Sequence, residues 1–146
     1  MRYGDFTLDT VRKLLGITLQ QASLFEPVRP AEPPPWLREA LDRGTQLALL
    51  SEKSRSEFVV APILLAAREL CGNKFAIYSG QRLDVDPDRG LVGECDFLLT
   101  LTPPLPVLQA PAAVILEAKK GDVEAGLGQC AAQMVGAQAF NRNEGR

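Results

Sequence analysis

At 146 residues, 46% apolar and 23% charged, the chain has the size and makeup of one globular domain around a single core. It holds no histidine, which removes Ser-His-Asp and Cys-His catalysis and imidazole zinc sites, so metal chemistry must use oxygen ligands and a hard ion such as Mg²⁺ or Mn²⁺. A formal net charge of −2 argues against avid non-specific binding of nucleic acid, although a local basic patch can coexist with it.

The N-terminus, Met1-Arg2-Tyr3-Gly4-Asp5, lacks the layout of a signal peptide, and no apolar run reaches bilayer-crossing length. Cys71, Cys95 and Cys130 are widely spaced and form no Cys-x-x-Cys pair. Reduced, buried thiols in a cytoplasmic protein are expected, and zinc is not.

In chain order, Asp9 is the expected N-cap of a helix carrying Leu14, Leu15, Ile17 and Leu19, extending toward Leu24. Pro27, Pro30, Pro33, Pro34 and Pro35 then give a stiff extended linker. Residues 1–35 thus read as a helix and linker, tethered to or packed on a main domain at 36–146. Trp36 to Arg43 is expected as a short helix closed by Gly44. Thr45 to Leu70 has helical apolar spacing, kinked or divided at Pro62.

Turn residues Cys71-Gly72-Asn73 precede a strand over Phe75–Ser79, which Arg82-Leu83-Asp84-Val85 extends or answers. Asp86 to Gly90 is a turn by composition, and Leu91 to Leu101 a strand. A proline-rich connection leads to Ala112–Lys119, whose apolarity predicts a central position in the sheet. A helix follows over Val123–Phe140, where Gly126, Gly128 and Gly136 predict close packing against the sheet.

The two strands carry charge where burial should exclude it. Asp96 lies in Gly93-Glu94-Cys95-Asp96-Phe97-Leu98-Leu99, and Glu117-Ala118-Lys119 ends Ala113-Val114-Ile115-Leu116. An unpartnered buried carboxylate costs several kcal/mol or takes up a proton. Two carboxylates from neighbouring strands with a lysine beside them would satisfy one another around a divalent cation. Glu117 and Lys119 leave the same strand face, as do Glu94 and Asp96. A plain Glu117–Lys119 salt bridge is the competing structural account.

This order resembles the PD-(D/E)xK nuclease superfamily, in which one acid on a strand is followed by acid-x-lysine on the next. Within it, Ser51-Glu52-Lys53-Ser54-Arg55-Ser56-Glu57-Phe58, Gly121 to Gly128 and Gly128-Gln129-Cys130 are most similar to a group of uncharacterised bacterial, notably cyanobacterial, members. The likeness spans Thr45 to Asn141, and Asp96 follows Glu94-Cys95 where the signature has proline. It implies an α/β restriction-endonuclease-like core, a central mixed sheet flanked by helices, here with an extra N-terminal helix.

The resemblance also implies Asp96, Glu117 and the Ala118 carbonyl as ligands of Mg²⁺ or Mn²⁺, with Lys119 orienting or deprotonating the attacking water. Glu57 matches the helix acid that such sites use for a second metal or a metal water, ahead of Glu52, Glu69 and Glu94. Gln129 matches a glutamine that contacts phosphate or orients the lysine. Gln133, four residues on, shares its helix face. Lys53, Arg55, Lys119 and Lys120 form the candidate basic patch.

The implied activity is metal-dependent hydrolysis of phosphodiester bonds in nucleic acid, with DNA favoured because most of the superfamily cuts DNA. The alternative is a catalytically inactive nuclease-like module that binds nucleic acid or protein. A third reading is an unrelated interaction protein whose Glu-x-Lys is coincidental. Relatives continue into a further strand where this chain ends at Asn143-Glu144-Gly145-Arg146, so truncation or a partner completing the sheet is expected. An exposed sheet edge would favour a homodimer.

Overall fold

The computed structural model describes residues 1–23, 26 and 28–146; the expected extension of the first helix to Leu24, and Pro27 of the linker, lie outside them. The order is a 3-10 turn (Tyr3–Asp5), α1 (Leu8–Leu15), α2 (Pro35–Thr45), α3 (Glu52–Arg55), a π turn (Ser56–Val60) and α4 (Ala61–Leu70). Three strands follow, β1 (Ala76–Arg82), β2 (Glu94–Thr100) and β3 (Ala112–Leu116), and then α5 (Val123–Asn143).

The protein is mixed α/β. Among the described residues the sheet has three strands in the order β1-β2-β3, and both pairings are antiparallel. The mixed sheet expected from the sequence is therefore corrected. The connections at 83–93 and 101–111 hold no helix, and a parallel neighbour needs a crossover of that kind. The expected central placement of Ala112–Lys119 is corrected as well: β2 is central, and β3 is an edge strand. Its apolarity reflects Ala112 and Ile115 packing in the cluster under α5 and Leu116 in the cluster on the opposite face, while Ala113 and Val114 are exposed. At its start, Asn141 of α5 donates to the Ala112 carbonyl at 2.8 Å and accepts the Ala112 N–H at 2.7 Å.

From Phe97 to Leu99 side chains alternate across β2, and so does the core. Leu98 belongs to the larger cluster, with Tyr3, Phe6, Val11, Leu91, Cys95 and Ala132. Phe97 and Leu99 belong to a second cluster with Leu64, joined by Val60, Ile77 and Leu116. The sheet is thus covered on one face by α5 and the N-terminal segment, and on the other by α4.

Of the two arrangements expected for the N-terminal helix, it is the packed one. Tyr3, Phe6 and Val11 are buried. The N-cap is Thr7 rather than Asp9, because the Thr7 and Thr10 side chains each accept the other's backbone N–H, at 3.2 and 2.8 Å. Asp9, within the first turn, pairs with Arg12 and Lys13. Gly16, at φ 70°, ends the helix before Ile17 and Leu19.

Gly128 and Gly136 are close-packing positions as expected, but their neighbour is the N-terminal segment. A Cβ on Gly128 would lie 2.4 Å from the Phe6 carbonyl oxygen, and one on Gly136 would lie 2.1 Å from Tyr3 Oη. Gly44 does not close the second helix; it is buried inside α2, where a Cβ would meet the Phe58 carbonyl oxygen at 2.5 Å.

The long helical region begins at Glu52, capped by Ser51, whose hydroxyl accepts the Ser54 N–H at 3.0 Å. Pro62, in the first turn of α4, offers no N–H to the Phe58 carbonyl, and the π turn immediately before it accommodates that loss. Among the described residues no helix is long and apolar enough to cross a membrane.

Candidate active site

Phe97 lies opposite Leu116 in the β2–β3 register, so the next residues along, Asp96 and Glu117, fall side by side. There the backbone ladder gives way to side chains. The Asp96 N–H donates to Glu117 Oε1 at 3.3 Å, and the Ala118 N–H donates to Asp96 Oδ2 at 2.7 Å. The two carboxylates take the places that carbonyls hold farther along the ladder. This local requirement for acceptors holds both acids against the sheet.

Helix α5 supplies the rest of the site. Asp122 caps it by accepting the Glu124 N–H at 2.8 Å. Gln129 and Gln133, one turn apart on one face, both reach Glu117. Gln129 Nε2 donates to Oε2 at 2.7 Å, and Gln133 Nε2 donates to Oε1 at 2.5 Å and to the Glu94 carbonyl at 3.2 Å. Lys119 Nζ lies 3.5 Å from Glu117 Oε2, donates to Gln129 Oε1 at 3.2 Å and stands 3.7 Å from Glu52 Oε2. The lysine stem lies over Gly126, where a Cβ would come within 3.0 Å of it.

Only 5% of the Glu117 side chain is exposed. Burial raises its pKa and the Asp96 charge adds to the rise; the Gln133 hydrogen bond, the Asp96 N–H and Lys119 oppose it. The same setting pushes the Cys95 thiol up to about 12, through burial first and then the charges of Glu117 and Asp96. Cys95 is therefore a neutral core residue. Cys71, expected buried, is exposed, since it sits at the open C-terminal end of α4.

Asp96, Glu117, Lys119 and Gln129 are thus brought together. Ala118 joins them through its N–H. Glu57 lies on the π turn, paired with Lys53 at 2.9 Å, and lines a cavity of about 520 Å³ together with Asp96, Glu52 and Glu94. It makes no hydrogen bond to Asp96, Glu117 or Lys119. Glu69 is taken elsewhere, accepting from Trp36 Nε1 at 2.8 Å. Lys53 and Lys119, expected in a basic patch, are both engaged by carboxylates.

Gln133 was not among the site residues expected from the sequence. Its only sequence signal is the four-residue spacing from Gln129.

Among the described residues no group of three or more His, Cys, Asp or Glu side chains is arranged to hold a metal ion. A hard cation that keeps most of its waters needs only one or two carboxylates. The oxygen-only donor set fits such an ion. Among the described residues no donor reaches Asp96 Oδ1, and the Lys119 contact to Glu117 Oε2, at 3.5 Å, is the longest of the four that Glu117 accepts. Asp96 through Oδ1, and Glu117 through Oε2 with Lys119 moved aside, are the groups that would hold it. Glu52, Glu57, Glu94 and Asp96 line the cavity, Glu117 adjoins Asp96, and Lys53 and Lys119 pair among them, a surplus of negative charge that a cation would relieve.

Comparison with protein-family models, with curated proteins and with solved structures found no match.

Proposed function

We propose that this domain is a Mg²⁺- or Mn²⁺-dependent nuclease of the PD-(D/E)xK kind, hydrolysing phosphodiester bonds in nucleic acid, with DNA the favoured substrate. The observation that carries the reading is the convergence of Asp96, Glu117 and Lys119, two strand-end carboxylates and an ammonium, in the order in which the motif places them.

The bound ion would supply Lewis-acid polarisation of the phosphate and a lowered pKa for its water. Asp96 and Glu117 would hold it. Lys119, its stem lying over Gly126 and its ammonium released from Glu117, would stand beside the attacked phosphate and offset charge developing there. Gln129 and Gln133 keep the buried Glu117 carboxylate oriented. Glu57 would bear on the site from the cavity side.

A second reading, a catalytically inactive module that binds nucleic acid or protein, draws on the saturation of Glu117, whose two oxygens already accept from four donors. Calorimetric titration of Mn²⁺ into wild type and into an Asp96→Ala/Glu117→Ala double variant separates the two, together with plasmid and oligonucleotide cleavage. Metal binding lost in the double variant, with cleavage that also requires Lys119, supports the nuclease. Metal and nucleic-acid binding without cleavage supports the module. No binding at millimolar metal would sink the metal site.

A further inference from the structure

The cavity beside Asp96 is larger and less polar than a cation alone requires. At about 520 Å³ it lies within the range of ligand clefts, about 300–1,000 Å³. Ala61 and Leu65 of α4 wall it on one side, with Ile77 and Phe97 of the sheet on the other. Leu65 is 55% exposed, so this wall is open to an incoming group. The cavity's polar lining includes Glu94, Asp96, Ser56 and Ser79. Glu94 there is exposed, and its carboxylate accepts no hydrogen bond or ion pair among the described residues. Its Oε1 stands 3.4 Å from where a Cβ would sit on Gly80, a residue at φ 62° on β1. Lys53, the cationic group on this lining, is engaged by Glu57.

Apolar walls with carboxylate acceptors on the same lining suit a flat ring whose faces are apolar and whose edge carries N–H donors. Resting on the nuclease reading, we propose that this cavity receives one unstacked nucleobase beside the scissile phosphate, with Glu94 accepting from its edge. A carboxylate accepts and cannot donate. Two adjacent N–H donors, as guanine presents at N1 and N2, pair with both oxygens, whereas thymine presents a carbonyl on each side of its single N–H. A base stacked within a duplex cannot enter such a slot. The substrate class is therefore single-stranded or locally unpaired nucleic acid with guanine at this position.

The test uses nucleosides without phosphate and without metal, so it is independent of cleavage. Titration of ¹⁵N-labelled protein with 2′-deoxyguanosine should shift the amides of Ile77, Ser79 and Gly80. Thymidine should bind about tenfold more weakly. Leu65→Trp, which fills the slot from an exposed position, should abolish the shifts while leaving the circular dichroism spectrum unchanged. Absence of shifts with deoxyguanosine, equal binding of thymidine, or shifts that survive Leu65→Trp would each overturn the slot. Single-stranded oligonucleotides should also be cut in preference to duplexes, and equal cutting of both would count against it. Deoxyguanosine binding with no cleavage of any strand would uphold the slot and overturn the nuclease reading alone.

Discussion

Gln133, with no exposed surface, donates from within α5 to Glu117 Oε1 at 2.5 Å. The same amide nitrogen donates to the Glu94 carbonyl, so one side chain ties the start of β2 and the chain beyond β3 to a single helix. Gln133→Leu keeps the volume and removes the donor. It should cost about 1–2 kcal/mol, because the buried Glu117 carboxylate is left short of a partner. Gln129, half-buried, should cost less when changed to Leu. Urea unfolding of both variants checks the order, and no loss in Gln133→Leu would mean that Gln133 acts only by filling space.

The raised pKa of Glu117 has a definite sign for stability. A carboxyl whose folded pKa is raised contributes fully below the unfolded glutamate value, about 4.3. That contribution is lost as pH rises through the folded value. Glu117→Gln does not titrate there, so it should gain on wild type in the window that opens above about pH 4.3. Asp9 and Asp84, lowered by their Lys13, Arg12 and Arg82 partners, are common to both proteins and cancel. Thermal melts of the pair across that window test the claim, and a difference independent of pH would refute it.

Helix α5 meets the N-terminus through missing side chains. Gly136→Ala would drive a methyl to within 2.1 Å of Tyr3 Oη and should cost about 1–3 kcal/mol. The Tyr3 hydroxyl is buried and has no partner among the described residues, so Tyr3→Phe alone should be close to neutral. Combined, Tyr3→Phe should recover part of the Gly136→Ala loss. Additive losses in the double variant would show that the hydroxyl is not the group in the way.

The three thiols should differ in reactivity by environment. Cys71 is exposed, Cys130 is half-buried with its pKa raised by burial, and Cys95 is buried with its pKa near 12. Timed alkylation read by mass spectrometry should label Cys71 first, Cys130 slowly and Cys95 only on unfolding. Early labelling of Cys95 would contradict the packing of the core around it.

Asp96, Glu117, Lys119 and Gln129 were legible because charge inside an apolar strand, and acid-x-lysine at a strand end, stand out against their surroundings. Which strand lies in the centre was not legible. β3 has the more uniformly apolar sequence, yet β2 is flanked on both sides, and apolarity reports burial of faces rather than of edges. Asp9 and Thr7 are both good caps, and the reciprocal bonding of Thr7 with Thr10 decided between them. Tyr3 and Phe6 precede any periodic segment, so no pattern marked them as core. The glycines of α5 announced close contact without naming their neighbour. Gln133 could be placed on a face with Gln129, but no spacing says that the face looks inward.

The π turn sets the phase of the helix that walls the cleft. Glu52 and Ser56 line the cavity four residues apart, and so do Ala61 and Leu65, but five residues separate Ser56 from Ala61. An uninterrupted α-helix advances about 100° per residue, so a five-residue step there would turn one pair away whenever the other faced in, and the π turn absorbs the extra residue. Deleting a single residue between Ser56 and Ala61 would therefore leave a plain α-helix with both pairs still facing the cavity, whereas inserting one more would act as a rotation, carrying Glu52 and Ser56 away without changing either. The acidic lining of the cleft owes its aim to a count of residues rather than to their identity.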